Sequence, residues 1–298
     1  MRILWTLVLL VVAAPVFGQD STSAVYRDNV VIVVDASGSM GYNWPSPDAA
    51  GKTQTKMVIA KSAIKTVLST IGENTQIGII VFGRVKDAWV YPLGAKNTEA
   101  INTAIDSIIT GGNTPLGTYI KSGADALIQQ RQKQFGYGSY RLLIVTDGDA
   151  DGGSETTKMN RYTEEIIARG ITVDVIGVDM GTTHALAKIV GPNYRAADDP
   201  KSLTKAITEV FAEISRKKDD STADFKSLEG LDPALAKNMI EALAKPQNYP
   251  IGEKPKPVSL KAPSSALVND SPANVGIVLG GIAVLIVISL VIKSIASK

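Results

Sequence analysis

Asp35, Ser37 and Ser39 stand at alternate positions directly after the apolar run Val30-Val31-Ile32-Val33-Val34. One carboxylate and two hydroxyls offer oxygen donors only, with little charge among them. That set suits a hard divalent cation such as Mg²⁺, which prefers octahedral oxygen coordination and gives up its waters reluctantly. Short Asp/Ser strings also recur by chance in turns, so the chemistry depends on what positions them. The preceding run lacks polar alternation, and that marks a strand buried on both faces, as in the parallel sheets of α/β domains. Open α/β sheets bind ligands beyond the C-terminal ends of their strands, which is where these three residues converge.

The rest of the chain supplies the elements for such a sheet. Residues 56–71 carry apolar positions at helical spacing (Met57, Ile59, Ala60, Ile64, Val67, Leu68, Ile71) and stop at Gly72. Strands are expected at 76–82, at 88–93 as an antiparallel edge marked by Pro92, and at 140–146, 172–178 and 193–196. Helices are expected at 98–109, 116–130, 162–169 and 203–214. Strand–helix alternation of this kind predicts an α/β fold: a Rossmann-like, doubly wound, mostly parallel sheet with helices on both faces.

Asp-x-Ser-x-Ser after a buried strand resembles the metal-ion-dependent adhesion site of von Willebrand factor type A domains. Two further segments match the family in order. Thr114 lies in Gly111-Gly112-Asn113-Thr114-Pro115-Leu116-Gly117, and Asp147 ends Leu142-Leu143-Ile144-Val145-Thr146-Asp147-Gly148. The resemblance covers residues 28–216, about two thirds of the chain. It implies that Ser37, Ser39 and Thr114 give hydroxyls to Mg²⁺, with Asp35 and Asp147 binding directly or through water; Mn²⁺ and Ca²⁺ are the alternatives. Neutral hydroxyls leave the cation under-neutralised, so it attracts an anionic sixth ligand. The implied partner is a protein that presents an acidic residue.

Composition narrows the remaining classes. The 298 residues carry a formal net charge of +2, with no basic block in the folded part, which argues against nucleic acid. The absence of cysteine excludes disulfides, thiolate-ligated zinc and thiol catalysis, and mildly favours a bacterial protein. His184 is the only histidine, expected to be exposed or locally bonded, so Ser-His-Asp catalysis has little to build on.

Two apolar segments set the expected placement. Residues 1–18 have one basic residue, the apolar run 3–14 and the small or compact residues Val16-Phe17-Gly18, the layout of a secretory signal peptide; an uncleaved anchor is the alternative. Residues 275–292 are uncharged and apolar, about 27 Å long as a helix, which matches a bilayer's hydrocarbon core. Lys293 and Lys298 follow in a 293–298 tail and Asp270 precedes, so the domain is expected outside the cytoplasm, anchored by one transmembrane helix. Gly276 and Gly280 form a GxxxG that reads as ordinary glycine usage in a membrane helix, with homodimer packing as the alternative. Between domain and membrane lies a spacer, 217–274, with a short helix at 232–244 opened by Asp232-Pro233 and a proline-rich extended part at 246–272.

Two further groups carry open readings. Asp147-Gly148-Asp149-Ala150-Asp151-Gly152 begins like a calcium loop, yet its twelfth position is Lys158 and it follows a strand. Asp149 and Asp151 are therefore expected on an acidic rim, with a calcium site of Asp149, Asp151 and Glu155 as the alternative. Tyr42, Trp44, Pro45 and Pro47 either grip a partner or pack their own loop. The expected function is divalent-cation-dependent protein binding outside the membrane, with no enzymatic turnover. The alternatives are a cell-envelope assembly factor of the type A scaffold kind and a metal-dependent hydrolase.

Overall fold

The computed structural model describes residues 27–45, 51–83, 88–134, 136, 138–180, 184–216 and 248–254. The signal-peptide segment, the expected helix 232–244, Pro47, the 275–292 span with Gly276 and Gly280, and the 293–298 tail lie outside the described residues. Among the described residues no helix is long and apolar enough to cross a membrane.

Six strands form the sheet: β1 (Asp28–Ala36), β2 (Thr75–Gly83), β3 (Trp89–Ala95), β4 (Ser139–Thr146), β5 (Thr172–Val178) and β6 (Tyr194–Ala197). Their spatial order is β3-β2-β1-β4-β5-β6. Every pairing is parallel except β2 with β3, so the edge strand that carries Pro92 runs antiparallel, as expected. β1 lies between β2 and β4, so the chain winds outward from it in both directions. That reversal is the switch point where α/β sheets open a crevice.

The helices are α1 (Lys56–Thr70), α2 (Thr98–Asp106), α3 (Leu116–Lys133), α4 (Gly152–Ala168), α5 (Leu186–Val190) and α6 (Pro200–Arg216). β1 shows why two layers are needed. Val30, Ile32 and Val34 face a core built with α1, α2 and α6, while Val31 and Val33 face a core built with α3, α4 and α5. All five are fully buried. Local signals start the helices: Thr55 accepts from Val58 N–H at the head of α1, and Asn97 from Ala100 N–H at the head of α2. Asp199 accepts from Lys201 and Ser202 N–H, with Pro200 opening α6.

Two expectations are corrected. The helix expected at 162–169 begins ten residues earlier, at Gly152, because its first half is polar and gives no apolar period. The spacer expected to run extended from 246 instead returns to the domain at 248–254, where Ile251 is fully buried in the core beneath α3 and α4.

Candidate divalent-cation site

β1 ends at the crevice and delivers Asp35, fully buried, followed by Ser37 and the half-buried Ser39. Ser37 N–H donates to Asp35 Oδ1 at 2.8 Å, which folds the loop back over the strand end. Thr146, the last residue of β4, donates its hydroxyl to Asp35 Oδ2 at 2.6 Å. Each carboxylate oxygen thus accepts one hydrogen bond and keeps a lone pair to offer. Burial pushes its carboxyl above the ordinary value. The bonds from Thr146 and Ser37 pull the other way, and the nearby Asp147 adds to the rise.

Three of the expected ligands meet directly. The Ser37 and Ser39 hydroxyls are 3.1 Å apart, and Ser39 donates to Asp147 Oδ1 at 2.7 Å. Neighbouring ligands of an octahedral Mg²⁺, each ~2.0–2.1 Å from the ion, sit roughly 2.8–3.0 Å from one another. The oxygens are therefore spaced as edges of such an octahedron, and the donor set fits the ion.

Thr114 sits on the next loop, largely buried, and among the described residues makes no hydrogen bond to the other four. Its loop is held against theirs through the backbone: Gly111 N–H donates to Ala36 O at 2.8 Å and Gly38 N–H to Gly112 O at 3.3 Å. On its other side Thr114 N–H donates to Asp151 Oδ2 at 2.7 Å, and Asp151 N–H returns a bond to Thr114 O at 3.0 Å. Asp151, expected on a rim, is a brace between the second and third loops.

Sequence reasoning missed two participants. Lys56, at the first position of α1, places its ammonium 3.1 Å from Asp147 Oδ2 and 3.1 Å from Asp179 Oδ2. Burial draws the Lys56 pKa down, but the bonds and charges of both aspartates outweigh it and leave it raised. Asp179 follows β5 in the left-handed region, with φ of 55°, and is the one non-glycine residue in that region among those described. Lys56 thus ties Asp179 to the loop that carries Asp147 and offsets part of the negative charge gathered there. Thr146 is the second missed residue; its one signal was a hydroxyl closing an apolar strand. His184, expected to be exposed or locally bonded, is locally bonded. It is almost fully buried, its Nδ1 accepting from Leu186 N–H at 3.0 Å, so Nε2 carries the proton toward Gly148 O at 3.2 Å. Burial lowers its pKa, against opposing effects from Asp149 and the Gly148 carbonyl. Neither nitrogen is free to act as a base.

The acidic run does not assemble a second site. Asp149 faces Ala185 N–H, Asp151 faces Thr114, and Glu155 binds Thr118 and Lys158. No cluster of three His, Asp or Glu side chains poised for a metal occurs among the described residues. The aromatic loop divides: Trp44 is buried and donates to Asp198 O at 3.0 Å, whereas Tyr42, three residues past Ser39, is 70% exposed.

The family model of the von Willebrand factor type A domain matches residues 29–212. The magnesium-chelatase 67 kDa subunit of Chlorobaculum tepidum is 29% identical over 142 residues, covering 46% of this chain and 20% of that one. The chain thus spans about one fifth of the length of that curated relative. The solved D319A mutant of the PilB minor pilin from Streptococcus sanguinis superposes with a TM-score of 0.51 at 15% identity, covering 73% of this chain and 65% of that chain. The pilus adhesin SpaC from Lactobacillus rhamnosus GG gives 0.49 at 17% identity, covering 64% and 31%. At such identities the likeness is one of fold.

Proposed function

The chain belongs to the von Willebrand factor type A domain family, and we propose that its domain binds a partner protein through a divalent cation held by Asp35, Ser37, Ser39, Thr114 and Asp147. The observation that carries this is the spacing of the Ser37, Ser39 and Asp147 oxygens, which fits octahedral edges of Mg²⁺. The three hydroxyls bring no charge, so the ion keeps appetite for an anionic ligand, and a partner's Glu or Asp carboxylate supplies it. Exposed Tyr42 beside the loop adds apolar area for the same partner. A binding role is favoured over hydrolysis because His184, the only histidine, has both nitrogens engaged.

The proposal extends to placement. The signal-like segment 1–18 and the apolar segment 275–292 put the domain outside the cytoplasm on a single-pass anchor, a setting that serves adhesion or envelope scaffolding.

Titration calorimetry of the purified chain with Mg²⁺ and Mn²⁺ tests the ion. At about 100 times the dissociation constant, the ion adds roughly 2.7 kcal/mol to the folded state, on the order of 5–11 °C in melting temperature. Asp35→Ala should abolish both heat and shift. Flat titrations and unchanged melting at millimolar ion would overturn the reading. Capture of a partner from envelope extract in Mg²⁺, with loss in EDTA, tests the carboxylate bridge.

A further inference from the structure

Residues 248–254 lie far along the chain from α6, yet they are seated between α3 and α4 by a set of contacts that sequence gives no reason to expect. Pro250 to Glu253 form a turn closed by Glu253 N–H to Pro250 O at 3.2 Å, with Gly252 at φ +81°. Glycine at the third turn position with positive φ marks a type II turn, and here it aims Ile251 inward, to full burial. A Cβ at Gly252 would stand 2.8 Å from the Tyr162 ring and 3.0 Å from Arg161 Nη2, so those side chains would have to shift, and the positive φ itself favours glycine.

Charged side chains of the two helices read the backbone of this turn. Asp125 of α3 accepts from Ile251 N–H at 2.7 Å, and Glu165 of α4 accepts from Gly252 N–H at 3.0 Å. Arg169, just past α4, donates to the carbonyls of Tyr249 and Pro250 while its guanidinium stacks 3.7 Å from the Tyr249 ring centre. Arg131 of α3 donates to Asn248 Oδ1 at 2.7 Å and, through Nη1, to Arg169 O at 2.6 Å, which ties the two arginines into one floor. Both arginines are more than nine-tenths buried. Buried charge is costly unless it is hydrogen-bonded, and much of the bonding here comes from the segment itself. The groove is thus built around its occupant.

We propose that residues 248–254 are a clip that fastens the C-terminal part of the chain to the α3–α4 groove, so that a pull applied beyond Lys254 is borne by this groove and not by the end of α6. Fully buried Ile251, the arginine stack and the backbone bonds must all yield before the chain between Arg216 and Asn248 takes up tension. The same helices begin just after Thr114 and Asp147–Asp151, at Leu116 and Gly152, so the load enters on the pair that follows two of the site's loops. The clip itself requires no cation.

The chain has no cysteine, so Glu73→Cys and Ser259→Cys provide two unique handles for optical-tweezers stretching of the full chain in detergent. The expected result is a discrete lengthening before the domain unfolds, up to roughly 12–13 nm for the chain between Arg216 and Lys254 at ~3.3–3.6 Å per residue. Ile251→Asp should remove that step and leave the slack present at the lowest forces, while its domain-unfolding step persists. Slack in the unmutated chain at the lowest forces, or an unaltered step in Ile251→Asp, would overturn the proposal.

Discussion

Thr114→Ala removes one hydroxyl from the site and leaves every charge in place, which makes it the sharpest test of the ligand set. Its backbone bonds to Asp151 and Leu116 do not involve the side chain, so the fold should survive while Mg²⁺ affinity and partner capture fall. Asp149→Ala, on a carboxylate turned toward Ala185 and His184, should do less; the reverse ranking by calorimetry would move the site to the aspartate loop. Lys56 makes an opposite prediction. Its ammonium sits buried at a helix N-terminus, the end that disfavours cations, and it occupies Asp147 Oδ2. Lys56→Gln should therefore lower melting temperature in EDTA, where Asp147 and Asp179 lose their counter-charge, and tighten Mg²⁺ binding about tenfold, a change of ~1.4 kcal/mol. Weaker binding in that variant would make Lys56 a support for Asp147 and not a competitor. Asp35, Ser37 and Ser39 were singled out by the buried strand before them, and Thr114 and Asp147 by the family resemblance; the structure brings Ser37, Ser39 and Asp147 within hydrogen-bonding reach. Lys56 and Thr146 were not singled out, since only the packing of distant elements brings them to the loops.

At the scale of elements, α3 and α4 must approach closely for the second and third loops to meet, and Gly117 permits it. A Cβ there would stand 2.5 Å from Met159 N and 2.7 Å from Glu155 O, both backbone atoms that cannot swing aside. Alanine ordinarily gains up to ~1 kcal/mol over glycine inside a helix, so intrinsic propensity and packing predict opposite signs. Packing should win. Gly117→Ala is expected to lose about 1–3 kcal/mol in urea unfolding and to weaken Mg²⁺ binding as the Thr114–Asp151 brace is pushed apart. Gly153→Ala is the control, in open space within the first turn of α4, and should be neutral or stabilising. If both variants behave alike, the close approach is not what Gly117 provides. The sheet was the most legible layer: mainly apolar runs gave β1, β2, β4 and β5, despite Arg141 in β4 and Asp174 in β5, and Pro92 gave the edge. The first half of α4 was illegible because Gly153-Ser154-Glu155-Thr156-Thr157 faces outward or binds α3 by polar contacts. α5 is too short to show a period.

Across the whole molecule, the domain's reach along the chain was misjudged for a physical reason: proline-rich sequence signals extension, yet Ile251 and Gly252 need only one turn to engage a groove that is invisible until α3 and α4 are packed. The proposed placement leads to a test of orientation. Lys293 and Lys298 follow the apolar segment, Asp270 precedes it, and Lys/Arg bias near the end of a span sets which side remains in the cytoplasm. The domain and the tail after Ile292 should then lie on opposite faces of the membrane. In cells or spheroplasts that express the chain with a C-terminal epitope, added protease should degrade the domain and leave a short epitope-bearing fragment. The clip adds an expectation, because 248–254 is packed against α3 and α4. Protease should therefore spare this segment until the domain itself is degraded. A protected domain with an accessible epitope would reverse the orientation. Release of the intact chain by carbonate alone would remove the membrane span from the proposal, while leaving the cation site to be judged by its own titration.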